Sequence, residues 1–157
     1  MKMHPILLLL PLALWACQDT LYPIAPAVPE RQTVGSPDPG GGETVQRGPY
    51  GGRMVKAGTH YLEFVGFTPA NGSYTLYLFP WDASVNPIPR TADQAEAKLT
   101  LSSGKTIAMS AATNSDDGSL FFYAFPEASF QTQTTTVQAD VTLAGTALSA
   151  SFPHPDL

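Results

Sequence analysis

The sequence predicts an all-β protein, an antiparallel Ig-like β-sandwich of about seven to nine strands, on three observations. Hydrophobic residues after position 50 alternate with period two, as in Ala95, Ala97, Leu99 and Leu101 against Glu96, Lys98 and Thr100; that pattern buries one face of a strand. Turn signals recur at Asn71-Gly72, Ser102-Ser103-Gly104, Asp117-Gly118 and Ala144-Gly145, and Asn-Gly is the strongest short hairpin signal. Residues 51–157 are one domain's worth of chain, enough for two packed sheets.

In chain order, residues 1–16 read as a leader. MKMHPILLLLPLALWA starts with Lys2 and carries an apolar run from Ile6 to Ala16. The run falls short of the ~20 apolar residues a membrane-spanning helix needs. Pro11 argues against a buried core helix. A charged start, a short apolar stretch and a small closing residue are the marks of export.

The single cysteine follows directly. Leu14-Trp15-Ala16-Cys17 resembles the lipobox of bacterial lipoproteins, with Leu three residues before the cysteine, a small residue just before it, and a less usual Trp15 between. The resemblance implies that Cys17 becomes the mature N-terminus, carrying a diacylglycerol thioether and an amide-linked acyl chain, so that the membrane is reached through lipid. Each buried CH₂ contributes ~0.8 kcal/mol, and several chains together anchor firmly. A lipidated Cys17 leaves no thiol for a disulfide, a thiolate metal site or a nucleophile. Gln18 rather than Asp follows it; by analogy with lipoprotein sorting in two-membrane bacteria, this implies the outer membrane, with its periplasmic or surface face left open.

Residues 17–50 are expected to be a lipidated cysteine and a disordered tether. Prolines at 23, 26, 29, 37, 39 and 49 and glycines at 35, 40, 41, 42 and 48 oppose regular structure. The first part is stiff and the second flexible. Pro23-Ile24-Ala25-Pro26 has the spacing of a PxxP ligand, but a spacer explains it better. Beyond the leader, thirteen acidic residues face seven basic ones. Such a balance excludes nucleic acid as a partner, because that binding neutralises phosphates with Lys and Arg. It also excludes an electrostatic membrane patch.

Residues 51–157 form the expected sandwich domain. HYLEFVGF and SYTLYLF are aromatic and branched runs that Thr68-Pro69-Ala70-Asn71-Gly72 joins into a hairpin. Asn71-Gly72-Ser73 also fits a glycosylation sequon, which the turn explains without glycan. A short helical pattern near Thr91 to Ala97 reads better as the approach to the strand QAEAKLTL. KTIAMS continues the apolar side with Ile107 and Met109. Asp116-Asp117-Gly118 lacks the alternating ligands and distal Glu of a calcium loop, and so reads as a turn before LFFYAF. Val137, Ala139, Val141 and Leu143 point inward, and TALSASF returns with Leu148, Ala150 and Phe152.

Chemistry is sparse. The sequence has no Gly-x-Ser-x-Gly elbow, His-Glu-x-x-His or phosphate-cradling loop, and the reading is non-catalytic. His60 and Glu63 are three apart, which on a strand sends them to opposite faces. His60 therefore shares a face with Leu62 and Phe64, and Glu63 with Tyr61 and Val65.

Gly51-Gly52, Gly58, His60, Leu62-Glu63 and Val65 resemble the opening of small exported β-sandwich proteins encoded beside heavy-metal efflux systems. Tyr77, Asp82, Asn86-Pro87-Ile88 and the closing Gly145 to Phe152 are similar to later parts of that pattern. The resemblance implies a role in periplasmic metal homeostasis, with copper or zinc as the metal. The chain departs from it in having Tyr50 where the pattern has a histidine. His60 and His154 are the candidate metal ligands, and they meet only if the closing strand brings them together. Without that pairing the expectation is no cofactor.

Trp81, Tyr77, Phe121 and Tyr123 are the candidate binding residues. LFFYAF carries aromatics on both faces, so part of it must meet a second sheet, a partner or solvent. The functional expectation is a membrane-anchored, non-catalytic envelope lipoprotein linked to metal homeostasis. The alternative is a structural or adhesion module that grips an envelope protein or glycan through these aromatics.

Overall fold

The structure, a computed structural model, describes residues 27–31, 46–68, 72–91, 95–127, 130 and 136–153. The leader, Cys17, Asn71 and His154 lie outside the described residues. Eight antiparallel strands make up the fold: β1 Arg53–Ala57, β2 His60–Phe67, β3 Thr75–Trp81, β4 Ala95–Leu101, β5 Thr106–Thr113, β6 Leu120–Ala124, β7 Thr136–Leu143 and β8 Thr146–Pro153. The all-β antiparallel sandwich expected from the sequence is the architecture, and eight strands fall within the expected range.

The strands are ordered β1-β2-β3-β6-β5-β4-β7-β8. β5 is the corner between the two layers. Its first half, Thr106 to Met109, pairs with β4; its second half, Ser110 to Thr113, pairs with β6. The meander β4–β5–β6 returns its last strand beside β3, a Greek-key connection of the kind immunoglobulin-like sandwiches contain. The far ends of the sheet, β1 and β8, lie against each other.

Strand alternation builds the inner core. Leu62, Phe64, Leu76, Leu78 and Phe122 come from one layer, and Leu99, Val137, Ala139 and Phe152 from the other; all are fully buried. The Phe64 and Phe152 rings sit 5.3 Å apart, a pairing worth about 0.5–1.5 kcal/mol beyond burial. On β4, β7 and β8 the predicted inward residues are the buried ones, apart from Ala95 at the start of β4, which is half-buried, and the polar residues between them face outward. Ala144 and Gly145 both take positive φ, 47° and 82°. A two-residue turn of that kind matches the right-handed twist of the β7–β8 hairpin.

β3 and β6 differ, being buried along their whole length on both faces. Behind the sheet lies a second apolar cluster of Tyr50, Met54, Val65, Tyr77, Phe79, Trp81, Ala112, Phe121 and Tyr123. Pro80 is tolerated in β3 because β6 pairs only with Leu76 to Leu78, so that end of β3 needs no donor toward β6.

Two pieces expected to be tether belong to this second layer. Gln46 to Tyr50 run into β1 through an Arg47–Arg53 bridge and a Met54 N–H bond to the Gln46 carbonyl. Ala27 to Arg31 lie over the aromatic face, with Pro29 buried. The physical reason is area: β3 and β6 present large aromatics outward, and covering them outweighs the entropy of fixing about ten residues.

Candidate functional site

The site grows from the alternation along β2, which sends Glu63 to the outer face between Tyr61 and Val65. Glu63 is 0% exposed, and among the described residues it is the only buried residue of a charged type. The turn Gly48-Pro49-Tyr50-Gly51-Gly52 wraps over it. Gly48 donates its N–H to the Gly52 carbonyl, and Gly51 donates to the Gly48 carbonyl, both at 2.9 Å. Gly51 takes φ 80°, which an L side chain resists.

That curl aims two backbone donors at one oxygen. Tyr50 N–H and Gly52 N–H donate to Glu63 Oε1 at 2.8 and 2.9 Å. The Trp81 indole N–H donates to Oε2 at 3.1 Å. A Cβ at Gly48 would stand 2.7 Å from Glu63 Oε1, so the carboxyl occupies the space the missing side chain leaves.

Above this cage lies a roof of rings and one guanidinium. Tyr50 stacks on Phe79 with centroids 4.0 Å apart and leans on Trp81 at 5.8 Å. The guanidinium carbon of Arg31 lies 5.5 Å from both the Tyr50 and the Trp81 ring centroids. Arg31 Nε donates to the Tyr50 hydroxyl at 3.3 Å, and its terminal nitrogen pairs with the Asp117 carboxylate. Asn114 Nδ2 donates to the same hydroxyl at 3.1 Å. Tyr77 donates its hydroxyl proton to the Ala27 carbonyl at 2.6 Å.

Burial pushes the Glu63 carboxyl from 4.5 up to about 7, against the opposing pull of the Gly52, Tyr50 and Trp81 donors and of Arg31. The loss of hydration outweighs three hydrogen bonds. The folded state thus holds a proton that the unfolded chain releases between pH 4.5 and about 7. Glu63's contribution to stability is therefore greatest below pH 4.5, falls as pH rises through that window and levels off above it. At about 1.4 kcal/mol per pKa unit the fall is roughly 3 kcal/mol. Urea titrations at intervals from pH 4.5 to 8 should show it, and the Glu63→Gln chain should show a flatter profile.

The candidate binding residues Trp81, Tyr77, Phe121 and Tyr123 are brought together, but as core. They are 2, 0, 1 and 7% exposed, because Tyr50, Met54, Val28 and Phe67 pack over them. The expectation of an open aromatic surface is corrected accordingly.

His60 opens β2 with Nδ1 3.1 Å from the Thr59 hydroxyl. It also helps hold the Asp82 carboxyl below its ordinary range, after the larger effect of the Asn86 hydrogen bonds. His154 lies outside the described residues. The described end of β8 sets Phe152 against Phe64, four strand residues or roughly 13 Å beyond His60. β8 therefore runs away from His60 rather than toward it. Asp117 forms a turn, accepting from Ser119 N–H at 2.9 Å beside Gly118 at φ 71°.

Sequence reasoning passed over Glu63 as a buried group, and Arg31 and Tyr50 as its cover. A signal existed: an acid between Leu62 and Phe64 on a strand apolar on both faces, with a Gly-rich turn eleven to fifteen residues earlier. Compared with known proteins, the chain matches no family model and no curated protein. Among solved structures it is similar to a DUF4426 family protein from Pseudomonas aeruginosa PAO1, with 13% identity, 64% of this chain and 92% of that chain covered, and a TM-score of 0.40.

Proposed function

We propose that this chain is a lipid-anchored, non-catalytic module of the bacterial envelope, held at the outer membrane through Cys17 and working by contact. The observation that carries the reading is the placement of the sole cysteine directly after an apolar leader, at the end of Leu14-Trp15-Ala16-Cys17. The surroundings of Glu63 support the non-catalytic part. A buried carboxyl near neutrality is the usual mark of acid–base chemistry, yet this one spends both oxygens on structural donors beneath a roof of side chains. A catalytic carboxyl must lie within hydrogen-bond reach of a substrate proton, and this cage leaves no approach.

The test is chemical. In cells fed an alkyne fatty acid, the protein should take up the label and sediment with the outer membrane. Cys17→Ser should abolish labelling and release all of the chain from detergent-extractable membrane. An unlabelled wild-type protein in the aqueous fraction, with its leader attached, overturns the reading.

A further inference from the structure

We propose that the outer aromatic face is a binding groove for an extended peptide bearing a guanidinium, and that Ala27 to Arg31 fill it in cis as an exchangeable occupant. The inference deepens the reading of a contact-making module and rests on it in that respect.

The contacts of Ala27 to Arg31 are those of a bound peptide, each residue meeting its own feature of the face. The Ala27 carbonyl accepts from the Tyr77 hydroxyl. Val28 packs on the aromatic cluster, and Pro29 is buried. Glu30 is exposed, and Arg31 fills the last position. A proline-containing extended segment loses little entropy on docking in this way, which is why aromatic-lined grooves recognise such ligands.

The Arg31 position is specific for a planar cation. Its guanidinium lies at 5.5 Å from two ring centroids, pairs with Asp117 and donates to the Tyr50 hydroxyl. Rings stack on a guanidinium, and a carboxylate at its edge accepts its fork of N–H groups; an ammonium cannot satisfy both in the same way. Above about pH 7, where it is ionised, Glu63 beneath the rings adds its attraction for a cation.

Two facts make the occupant exchangeable. The Arg31 side chain is 43% exposed, so the ion pair is open to solvent and weak for its kind. With the segment lifted, the Tyr77 hydroxyl loses its acceptor, the Tyr50 and Trp81 rings lose the guanidinium over them, and the cluster loses the Val28 contact. Exposed aromatic edges beside an unpaired Asp117 carboxylate are the features that would draw such a ligand back. The ligand class is therefore a short extended sequence with an apolar residue, a proline and an arginine in the spacing of Val28-Pro29-Glu30-Arg31. The same segment from a second copy would be recognised by the same groups.

The test uses the mature lipidated chain in detergent. Val28→Ala with Arg31→Ala should keep the fold while freeing the groove. Calorimetric titration with the capped peptide Ala-Val-Pro-Glu-Arg should show binding to the double variant, and apparent affinity about tenfold weaker for wild type, whose own segment competes at high effective concentration. The Trp81 indole N–H resonance, the single indole of the mature chain once the leader bearing Trp15 is removed, should shift on binding. A peptide ending in Lys should bind several-fold more weakly, and one ending in Ala should not bind.

Equal affinity for wild type and double variant, no binding to either, or equal binding of the Arg and Ala peptides overturns the proposal. Loss of fold in the double variant, seen as collapse of the β-sheet circular dichroism, also overturns it, because the segment would then be structural. Failure here leaves the fatty-acid labelling of Cys17 untouched, and failure of that labelling leaves the peptide titration untouched.

Discussion

Glu63→Ala is expected to destabilise the domain by roughly 3–5 kcal/mol, because three buried donors lose their acceptor at once. The substitution strands the Tyr50 N–H, the Gly52 N–H and the Trp81 indole N–H without an acceptor. Each unsatisfied buried donor costs about 1–3 kcal/mol, and the three share one cavity, so their costs do not simply add. A domain of this size has about 5–15 kcal/mol in total, so about a fifth or more of its stability is at stake. In a thermal melt the midpoint should fall by roughly 15 °C. Glu63→Gln separates hydrogen bonding from volume. Its carbonyl still accepts from Tyr50 and Gly52, while its NH₂ confronts the Trp81 donor, so about half the loss should remain. An alanine variant within about 1 kcal/mol of wild type would show that water satisfies the three donors and that the cage is not structural.

Gly52→Ala should act on the same cage from the opposite side, and by steric means alone. A Cβ at Gly52 would overlap the Phe64 carbonyl oxygen and stand 2.9 Å from its carbon, with Val65 Cγ2 also too close. The Phe64 atoms are backbone of the neighbouring strand, so no side-chain rotation relieves that part of the clash. The Gly52 N–H must move with the displaced backbone and leave Glu63 Oε1. Overpacking of this kind costs about 1–3 kcal/mol or more, and the lost hydrogen bond places the variant at the upper end. Urea midpoints should fall accordingly. Gly118→Ala is the control for glycine loss alone: that residue has φ 71° but open space around its Cβ position, so its cost is the conformational one, about 1 kcal/mol.

Much of the fold could be read from period and punctuation. Ala97, Leu99 and Leu101 on β4, Val137 to Leu143 on β7 and Leu148 to Phe152 on β8 alternate strictly, and the structure buries the residues the alternation marks. These strands have one dry face and one wet face, so hydropathy alone records their orientation. β3 and β6 gave no such record, because Thr75 to Trp81 and Leu120 to Ala124 are buried on both faces. A strand apolar on both sides tells which residues are covered, but not what covers them.

The candidate site fell on that blind side. Tyr50 and Arg31 stand among prolines and glycines, a composition that signals irregular backbone and says nothing about whether it docks. The aromatic residues were recognised as a group, and only their placement inside the molecule was hidden. Glu63 was assigned to its correct face by counting along the strand. Its burial depends on a turn thirteen residues earlier folding back over it.

The sequence by itself determined the strand character of the runs that form β1 to β8, the inward face of each alternating strand and the hairpin at Ala144-Gly145, because these follow from local backbone geometry and a hydrophobic period of two. Only the tertiary structure decided that β5 turns the corner between layers, that Arg31 caps the Tyr50–Trp81 rings, and that Glu63 is enclosed by Gly48 to Gly52. Those are contacts between residues far apart in the chain. Their energies depend on shape and dehydration when surfaces meet, which no local pattern encodes.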